Sequence, residues 1–261
     1  MTGDARIGCS GWDYRDWKDV VYGGRPRREW FAAYTSWFDT VELNATFYRL
    51  PERVTVQRWA DRAPDGFLYA VKVGQFGTHR KKLADPGTWL PNHLDRVDRL
   101  GPSLGPQLVQ LPPRWRKDVP RLTELLATAP RDHRWAVELR DRSWLADDVL
   151  ATLADHGAAL CIHDLLADHP WEVTAGWTYV RFHGPDALRH PYREGYPADT
   201  LHRVADRLGE WLAAGCDVYA YFNNDYDGHA VRDARRLRDL VVRDPGPPEA
   251  SPGAAAGSAT P

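Results

Sequence analysis

Polar and charged residues recur at the carboxyl ends of short apolar segments in this chain. Glu42 and Asn44 alternate with Val41 and Leu43, and successive side chains of a β-strand point to opposite faces, so the two polar residues share one face. Carboxylates, an amine and an imidazole at neighbouring strand ends could abstract and donate protons for a bound molecule. The residues that this pattern predicts to be catalytic are Glu42, Lys72, Glu138, Asp164 and His183.

Further residues at the same segment ends, or in the loops that follow them, are suited to holding a ligand. Arginine forks bind carboxylate or phosphate groups, amides orient hydroxyl or carbonyl groups, and aromatic rings line clefts for planar ligands. The predicted ligand is therefore a small anionic or polar molecule. The residues predicted to bind it are Trp12, Asn44, Tyr48, His79, Gln110, Arg140, Trp144, Arg181, Tyr192, Tyr196, Asn223 and Asn224.

The charged residues in this set have two interpretations. They could form a closed lattice of ion pairs that caps the core, or they could serve a ligand, since burying unpaired ions costs several kcal/mol each. Their position at strand ends favours the functional interpretation. It predicts that Arg181→Met or Glu138→Gln leaves the melting temperature within a few degrees of that of the wild type.

The elements that must position these residues are eight β-rich segments separated mostly by amphipathic helices. Alternating and helical periodicities distinguish the two types of segment. The predicted strands are 7–11, 40–44, 68–72, 107–111, 135–140, 159–164, 179–183 and 218–223. The predicted helices are 27–38, 53–62, 119–129, 145–156, 200–214 and 229–242. Residues 79–100 predict one short helix, and residues 165–175 little more than a turn.

This order of elements predicts a single (β/α)8 TIM barrel over residues 6–242. An open doubly wound sheet is the alternative. The barrel is favoured because no Gly-x-Gly-x-x-Gly turn follows the first strand, and because polar residues end all the strands rather than gathering at one crevice. Residues 243–261 are rich in Pro, Gly and Ala and predict a disordered tail.

Composition narrows the possible partners. The 34 Lys and Arg residues nearly balance the 36 Asp and Glu residues, which gives only weak support to a nucleic-acid partner. No apolar run is long enough to cross a membrane and no secretory signal is visible, so a cytoplasmic protein without a membrane partner is expected. The three cysteines lack metal or redox spacing, so neither a metal site nor a cofactor is predicted. Neither the composition nor the spacing of the residues indicates an oligomeric state.

Acid–base catalysis on an anionic or polar organic substrate is the favoured function. A metal-assisted phosphodiester or sugar enzyme is one alternative, although three cations in the same mouth would repel a divalent ion. A non-catalytic protein that binds a nucleotide, RNA or a peptide is a second alternative. A glycosidase that uses Glu42 and Glu138 is disfavoured because neighbouring cations would hold both carboxylates ionised.

Seven motifs in order resemble those of the domain-of-unknown-function family number 72, also called the YecE-like family. They are GCSGW at 8–12, VELNATFYRLP at 41–51, AVK to TH at 70–79, QLPP at 110–113, VELRDRSW at 137–144, YVRFHG at 179–184 and YFNNDYDGHA at 221–230. The resemblance covers residues 6–241 and implies a TIM-barrel fold, but no particular activity. Cys9 stands where the family usually has threonine.

Overall fold

Eight parallel β-strands form a ring in the computed structural model, which describes residues 2–242. The strands are β1 (Ala5–Cys9), β2 (Thr40–Leu43), β3 (Leu68–Lys72), β4 (Leu104–Gln110), β5 (Trp135–Glu138), β6 (Ala159–His163), β7 (Trp177–Phe182) and β8 (Asp217–Phe222). Parallel ladders join each strand to the next from β2 to β8, and β8 to β1. The TIM-barrel prediction is confirmed, and the predicted tail lies outside the described residues.

Helices surround the ring and cover the outer faces of the strands. They are α1 (Trp17–Val20), α2 (Trp30–Thr35), α3 (Ala45–Tyr48), α4 (Arg53–Arg62), α5 (Pro86–Val97), α6 (Val119–Thr128), α7 (Asp147–Asp155), α8 (Ala198–Ala213) and α9 (His229–Val242). The six predicted helices are present, although the first begins as a 3₁₀ turn. The helix expected within residues 79–100 is α5, which has 12 residues. Residues 164–176 connect β6 to β7 without a helix, as predicted.

Side chains alternate along the strands and so form two apolar layers, one between the strands and the helices and one inside the barrel. On β5, Val137 packs outward among helix residues, whereas Ala136 packs inside the barrel with Leu108 and Cys161. Small residues inside the barrel leave room for the large side chains that point inward above them. Apolar residues of the strands and of the positions that directly follow them are buried in these layers: Val41, Leu43, Val71, Leu108, Val137, Leu139, Cys161, Val180, Phe182 and Phe222.

The hydroxyl group of Tyr34 closes the seam between β1 and β2, the neighbouring strands that no backbone ladder joins within residues 2–242. It accepts a hydrogen bond from the Cys9 N–H and donates one to the Thr40 carbonyl, each over 2.9 Å. Gly8 makes room for this bridge, because a Cβ there would lie 2.5 Å from the Thr40 oxygen. A side chain on α2 thus completes the ring.

Tyr34→Phe should weaken the barrel at this seam. The change removes one hydroxyl and leaves a buried N–H and a buried C=O unpaired, which costs about 1–3 kcal/mol. The melting temperature should fall by roughly 2–12 °C for a domain of this size. Tyr226→Phe is the control, since Tyr226 is 52% exposed. Equal melting temperatures for the two variants would contradict a structural role for the Tyr34 hydroxyl.

Candidate active site

A cavity of about 950 Å³ opens at the carboxyl ends of the strands, where TIM-barrel enzymes hold their active sites. The ends of six strands and the loops after β1 and β7 supply the predicted residues that line it. These residues are Trp12, Glu42, Asn44, Tyr48, Lys72, Gln110, Arg140, Arg181, Tyr192 and Asn223. Shared strand parity therefore brings most of the predicted set to one place.

The other predicted residues lie outside the cavity wall: Glu138, Asp164, His183, Tyr196, His79, Trp144 and Asn224. Trp144 is fully buried in an apolar cluster on the outer side of the barrel. Asn224 donates through its amide to Asp233 on α9, and His79 packs its ring edge-on against Phe47. Trp144 and Asn224 are thus directed away from the cavity. His79 lies near Lys72 and Arg140, and burial together with their charges lowers its pKa to about 4. The remaining four residues support the floor.

Arg181 is the centre of an ion-pair cluster that forms this floor, and it is 1% exposed. Its Nη2 donates to Oε1 of Glu42 over 2.8 Å, and its Nη1 donates to Oε2 of Glu138 over 2.6 Å. Both carboxylates are fully buried. Because water does not screen these charges, each ion depends on its partners for stability.

Other donors saturate Glu42. Ser10 Oγ donates to its Oε1 and Tyr179 Oη donates to its Oε2, each over 2.6 Å. Burial alone would raise the pKa of Glu42, but the charge of Arg181 and these hydrogen bonds outweigh burial and hold the pKa below its usual value. Ser10 was not among the residues that the sequence predicted for the site.

Glu138 is saturated in the same way. Gln110 Nε2 donates to its Oε1 over 2.9 Å, and Arg140 Nη1 donates to the same oxygen over 2.6 Å. The charges of Arg181 and Arg140 outweigh burial and hold the pKa of Glu138 well below its usual range. Both glutamates were predicted as catalytic bases, but an ionised carboxylate with every oxygen occupied is a weak base. Their geometry favours a supporting role in the floor.

His183 and Asp164 form a second buried group behind the floor. The Nδ1 of His183 donates to Asp164 Oδ1 over 2.8 Å, and Nε2 lies 3.2 Å from Arg181 Nη1. The Tyr196 hydroxyl donates to the same carboxylate. Burial and the charge of Arg181 lower the pKa of His183 despite its bond to Asp164. These contacts fix a neutral imidazole that accepts from Arg181, which orients the guanidinium.

His163, rather than Asp164, takes the inward position at the end of β6. It shares the parity of Ala159 and Cys161, which lie inside the barrel. Its Nε2 donates to the Leu139 carbonyl over 2.8 Å, and burial lowers its pKa to about 3. Sequence reasoning missed His163 because it placed Asp164 on the inward face. Because inward side chains recur at every second residue of a strand, the inward position of Cys161 predicts that His163 is inward as well.

Lys72 differs from the other cations at the cavity because no acidic group pairs with it. Its Nζ forms no salt bridge within residues 2–242 and lies 4.4 Å from the centroid of the Phe47 ring. The side chain is 9% exposed, and it lines the cavity. Burial, together with the positive charge of Arg181, lowers the pKa of Lys72 to about 8. Near neutral pH this amine can therefore both donate and accept a proton.

Asp225 is a second titratable group that sequence reasoning did not single out, although it follows β8 in the run Asn223–Asn224–Asp225. It lines the cavity, and its Oδ1 is buried with no hydrogen-bond partner among the described residues. Burial raises the pKa of Asp225 to about 8, and the nearby Tyr14 hydroxyl only partly offsets this effect. The carboxyl group is thus held mostly protonated at neutral pH.

Within residues 2–242, no three His, Cys, Asp or Glu side chains lie together as a metal ion would require. No helix in this part of the chain is long and apolar enough to cross a membrane.

Buried neutral histidines should make the protein sensitive to acid. Burial lowers the pKa of His93 to about 4 and that of His163 to about 3, whereas an unfolded chain keeps these values near 6.5. Below pH ~6.5 the unfolded state binds protons that the folded state does not, so stability falls with pH by up to about 1.4 kcal/mol per unit for each group. Urea unfolding should show a falling midpoint between about pH 7 and about pH 5. A constant midpoint would contradict the neutral, buried assignment.

A parallel eight-stranded barrel with a polar cavity at the carboxyl ends of its strands defines a TIM-barrel protein. The model of the family described as "Protein of unknown function DUF72" matches residues 6–255. The chain belongs to this family, and the resemblance based on the seven motifs is confirmed.

Two curated relatives carry UPF0759 names. The chain is 28% identical to "UPF0759 protein YecE" of Escherichia coli K12 over 141 residues, which cover 54% of this chain and 50% of YecE. It is 26% identical to "UPF0759 protein YunF" of Bacillus subtilis strain 168 over 273 residues, covering 90% of this chain and 94% of YunF. The match to YecE thus spans about half of that protein, whereas the match to YunF spans nearly all of it.

Solved structures of DUF72 family proteins share the fold. The one from Thermotoga maritima MSB8 has a TM-score of 0.81 and 25% identity, and the match covers 91% of this chain and 99% of that one. One from Enterococcus faecalis V583 has a TM-score of 0.77 and 20% identity, with 91% of this chain and 95% of that one covered. These similarities support the barrel fold alone.

Proposed function

We propose that the cavity is the active site of an enzyme that performs acid–base chemistry on a small anionic or polar organic substrate. The unpaired ammonium group of Lys72 is the observation that carries this proposal, because the two arginines of the same cavity are paired with carboxylates. A buried ion without a partner weakens a fold, and proteins break such rules mainly at functional sites. In this proposal Lys72 and Asp225 transfer protons, and Glu42 and Glu138 hold the floor in place.

Arg140 supplies the proposed site with a group that binds an acidic substrate. Its side chain is 17% exposed and makes one hydrogen bond among the described residues, from Nη1 to Glu138. A guanidinium has five N–H donors, so its other donors can form a fork with a carboxylate or phosphate group. Asn44 and Asn223 line the same cavity and offer amide groups to a hydroxyl or carbonyl oxygen.

Unsatisfied polar atoms of the cavity residues also support a polar ligand. Asn44 Oδ1, Arg181 Nε and Asp225 Oδ1 are buried and have no hydrogen-bond partner within residues 2–242. Buried polar groups are nearly always hydrogen bonded in folded proteins. Polar atoms without partners around the cavity therefore favour a polar ligand over an apolar one.

The rim of the cavity favours a small ligand over a nucleic-acid strand. Asp16 and Asp227 lie on this rim, are exposed, and form no salt bridge among the described residues. A chain of phosphates would be repelled by these carboxylates, whereas nucleic-acid binding depends on neutralising phosphates. A small molecule with one acidic group can instead reach Lys72 and Arg140 directly.

Proton exchange in heavy water would test this function. The protein is mixed with small 2-oxo, 2-hydroxy and 2-amino acids and phosphate esters in D₂O, and the loss of carbon-bound protons is followed by NMR. At least one compound should exchange or react, and Lys72→Met and Asp225→Asn should each slow it by about 10²–10⁴-fold.

Lys117→Met is the matched control for this experiment. Lys117 is exposed and paired with Asp148, outside the cavity, so its replacement should leave the rate unchanged. If the two cavity variants and the control react at the wild-type rate, the proposed roles of Lys72 and Asp225 are wrong. If no compound in the panel either binds or reacts, the proposed substrate class is wrong.

A further inference from the structure

Lys72 is the one buried lysine of the chain, whose five lysines all lie within the described residues. The other four are exposed or partly exposed: Lys18, Lys81, Lys82 and Lys117. The chain otherwise uses arginine strongly, with 29 arginines against 5 lysines. Arginine is always charged, whereas a desolvated lysine can lose its proton and become a nucleophile. A lysine at this position therefore favours a role that an arginine could not perform.

The surroundings of the Lys72 amine favour its neutral form. The face of the Phe47 ring attracts the charged form, but no carboxylate forms a salt bridge with the amine within residues 2–242. Burial and the positive charge of Arg181 lower the pKa of the amine, and the charge of Arg140 lowers it further, whereas the carboxylates of Glu138 and Glu42 partly offset this effect. With a pKa of about 8, its neutral fraction at pH 7 is roughly 200-fold larger than that of an ordinary lysine.

We propose that Lys72 is a nucleophile that forms an imine with the carbonyl group of a 2-oxo acid bound in the cavity. This inference rests on the proposed function, because it uses the same cavity. The substrate class follows from the neighbours of the amine. Arg140 can hold a carboxylate beside Lys72, and a carboxylate next to the carbonyl group would place the carbonyl carbon near Nζ.

The step needs no co-reactant. The neutral amine adds to the carbonyl carbon, which forms a C–N bond and turns the carbonyl oxygen into a hydroxyl group. Both protons of the amine then leave with that oxygen as one molecule of water, and a C=N bond remains. Nothing is oxidised or reduced. Asp225, which is mostly protonated, can give its proton to the imine nitrogen, and the carboxylate that remains can then remove a proton from the carbon next to the imine.

Reductive trapping tests this inference directly. The full-length protein is incubated with pyruvate and sodium cyanoborohydride, which reduces imines to stable amines, and is then digested for peptide mass mapping. Occupancy of the adduct at Lys72 should exceed that at each of the other four lysines by at least about tenfold. Those lysines are controls within the same molecule, so the result does not depend on how any variant folds. Adducts spread evenly over the exposed lysines, or absent from Lys72, would overturn the inference.

Labelling with acetone tests whether the reaction with Lys72 requires a carboxylate on the ligand in addition to a carbonyl group. Acetone should label Lys72 at least about tenfold less than pyruvate does, because it has no carboxylate for Arg140. Arg140→Met should reduce labelling by pyruvate by a larger factor than labelling by acetone, because both reactions lose the effect of the Arg140 charge on the Lys72 pKa but only pyruvate also loses a partner for its carboxylate. Equal labelling of wild type by the two compounds would overturn the assignment to a 2-oxo acid.

The failure of this inference can be distinguished from failure of the proposed function. If proton exchange in D₂O depends on Lys72 but no adduct forms there, the imine is wrong and the acid–base proposal stands. If an adduct forms at Lys72 but neither exchange nor reaction occurs, the amine is a nucleophile and the acid–base proposal is wrong.

Discussion

Replacement of Arg181 with methionine is expected to lower the melting temperature by roughly 6–20 °C. The change leaves two fully buried carboxylates, Glu42 and Glu138, without the cation that neutralises both. Removing one partner of a buried ion pair costs about 3–5 kcal/mol, and each kcal/mol lowers the melting temperature of a domain of this size by roughly 2–4 °C. Thermal unfolding followed by circular dichroism measures the effect.

Arg189→Met is the control for this prediction. Arg189 is exposed and forms no salt bridge among the described residues, so its loss should change stability by less than about 0.5 kcal/mol. The alternating pattern in the sequence led to the opposite expectation, that Arg181 serves a ligand and can be replaced without loss. Because Arg181 pairs with both Glu42 and Glu138, we expect its replacement to lower stability instead. A melting temperature for Arg181→Met within a few degrees of wild type would show that the cluster does not stabilise the fold.

Replacement of Lys72 with methionine is expected to raise stability and abolish ligand binding. Below pH ~8 both the folded and the unfolded chain carry the charge, so the folded state bears the whole cost of burying it. Methionine fills similar space without a charge, and after the lost contact with Phe47 the gain should be about 1–2 kcal/mol. The melting temperature should rise by roughly 2–8 °C.

The pH dependence makes this prediction specific. Above pH ~8 the folded lysine loses its proton while the unfolded one keeps it to about pH 10.4, so the advantage of Lys72→Met should shrink across that range. Lys117→Met, at an exposed lysine, should show no such change. A variant that is less stable than wild type near neutral pH would show that Lys72 stabilises the barrel.

The barrel could be predicted because its signals are local. Strands with alternating polar residues, separated by helices with apolar residues at spacings of three and four, fix both the number of strands and the face that each side chain takes. Glu42, Lys72 and Arg181 reach the same cavity for this reason. The seam between β1 and β2 could not be predicted, because the Tyr34 hydroxyl gains its role only when three separate segments come together.

The sequence did not show which residues of the site stabilise it and which are placed to react. Parity placed Glu138 and Lys72 at the same end of the barrel, but it did not show that one is saturated by partners and the other unpaired. Asp225 was not among the predicted site residues because it follows β8 in a loop, where alternation no longer applies, and its raised pKa depends on burial. Pairing and burial depend on the tertiary structure, and they distinguish the residues that stabilise the site from those proposed to react.

A crystal structure of the protein soaked in pyruvate, and separately in phosphate, would test the central claim most directly. The cavity should bind a small anion through Lys72, which is unpaired among the described residues, and through the remaining N–H donors of Arg140. The account predicts anion oxygens within about 2.7–3.2 Å of Lys72 Nζ or of the Arg140 guanidinium in both soaks. Anions bound only to exposed arginines outside the cavity, with neither Lys72 nor Arg140 in contact, would contradict it.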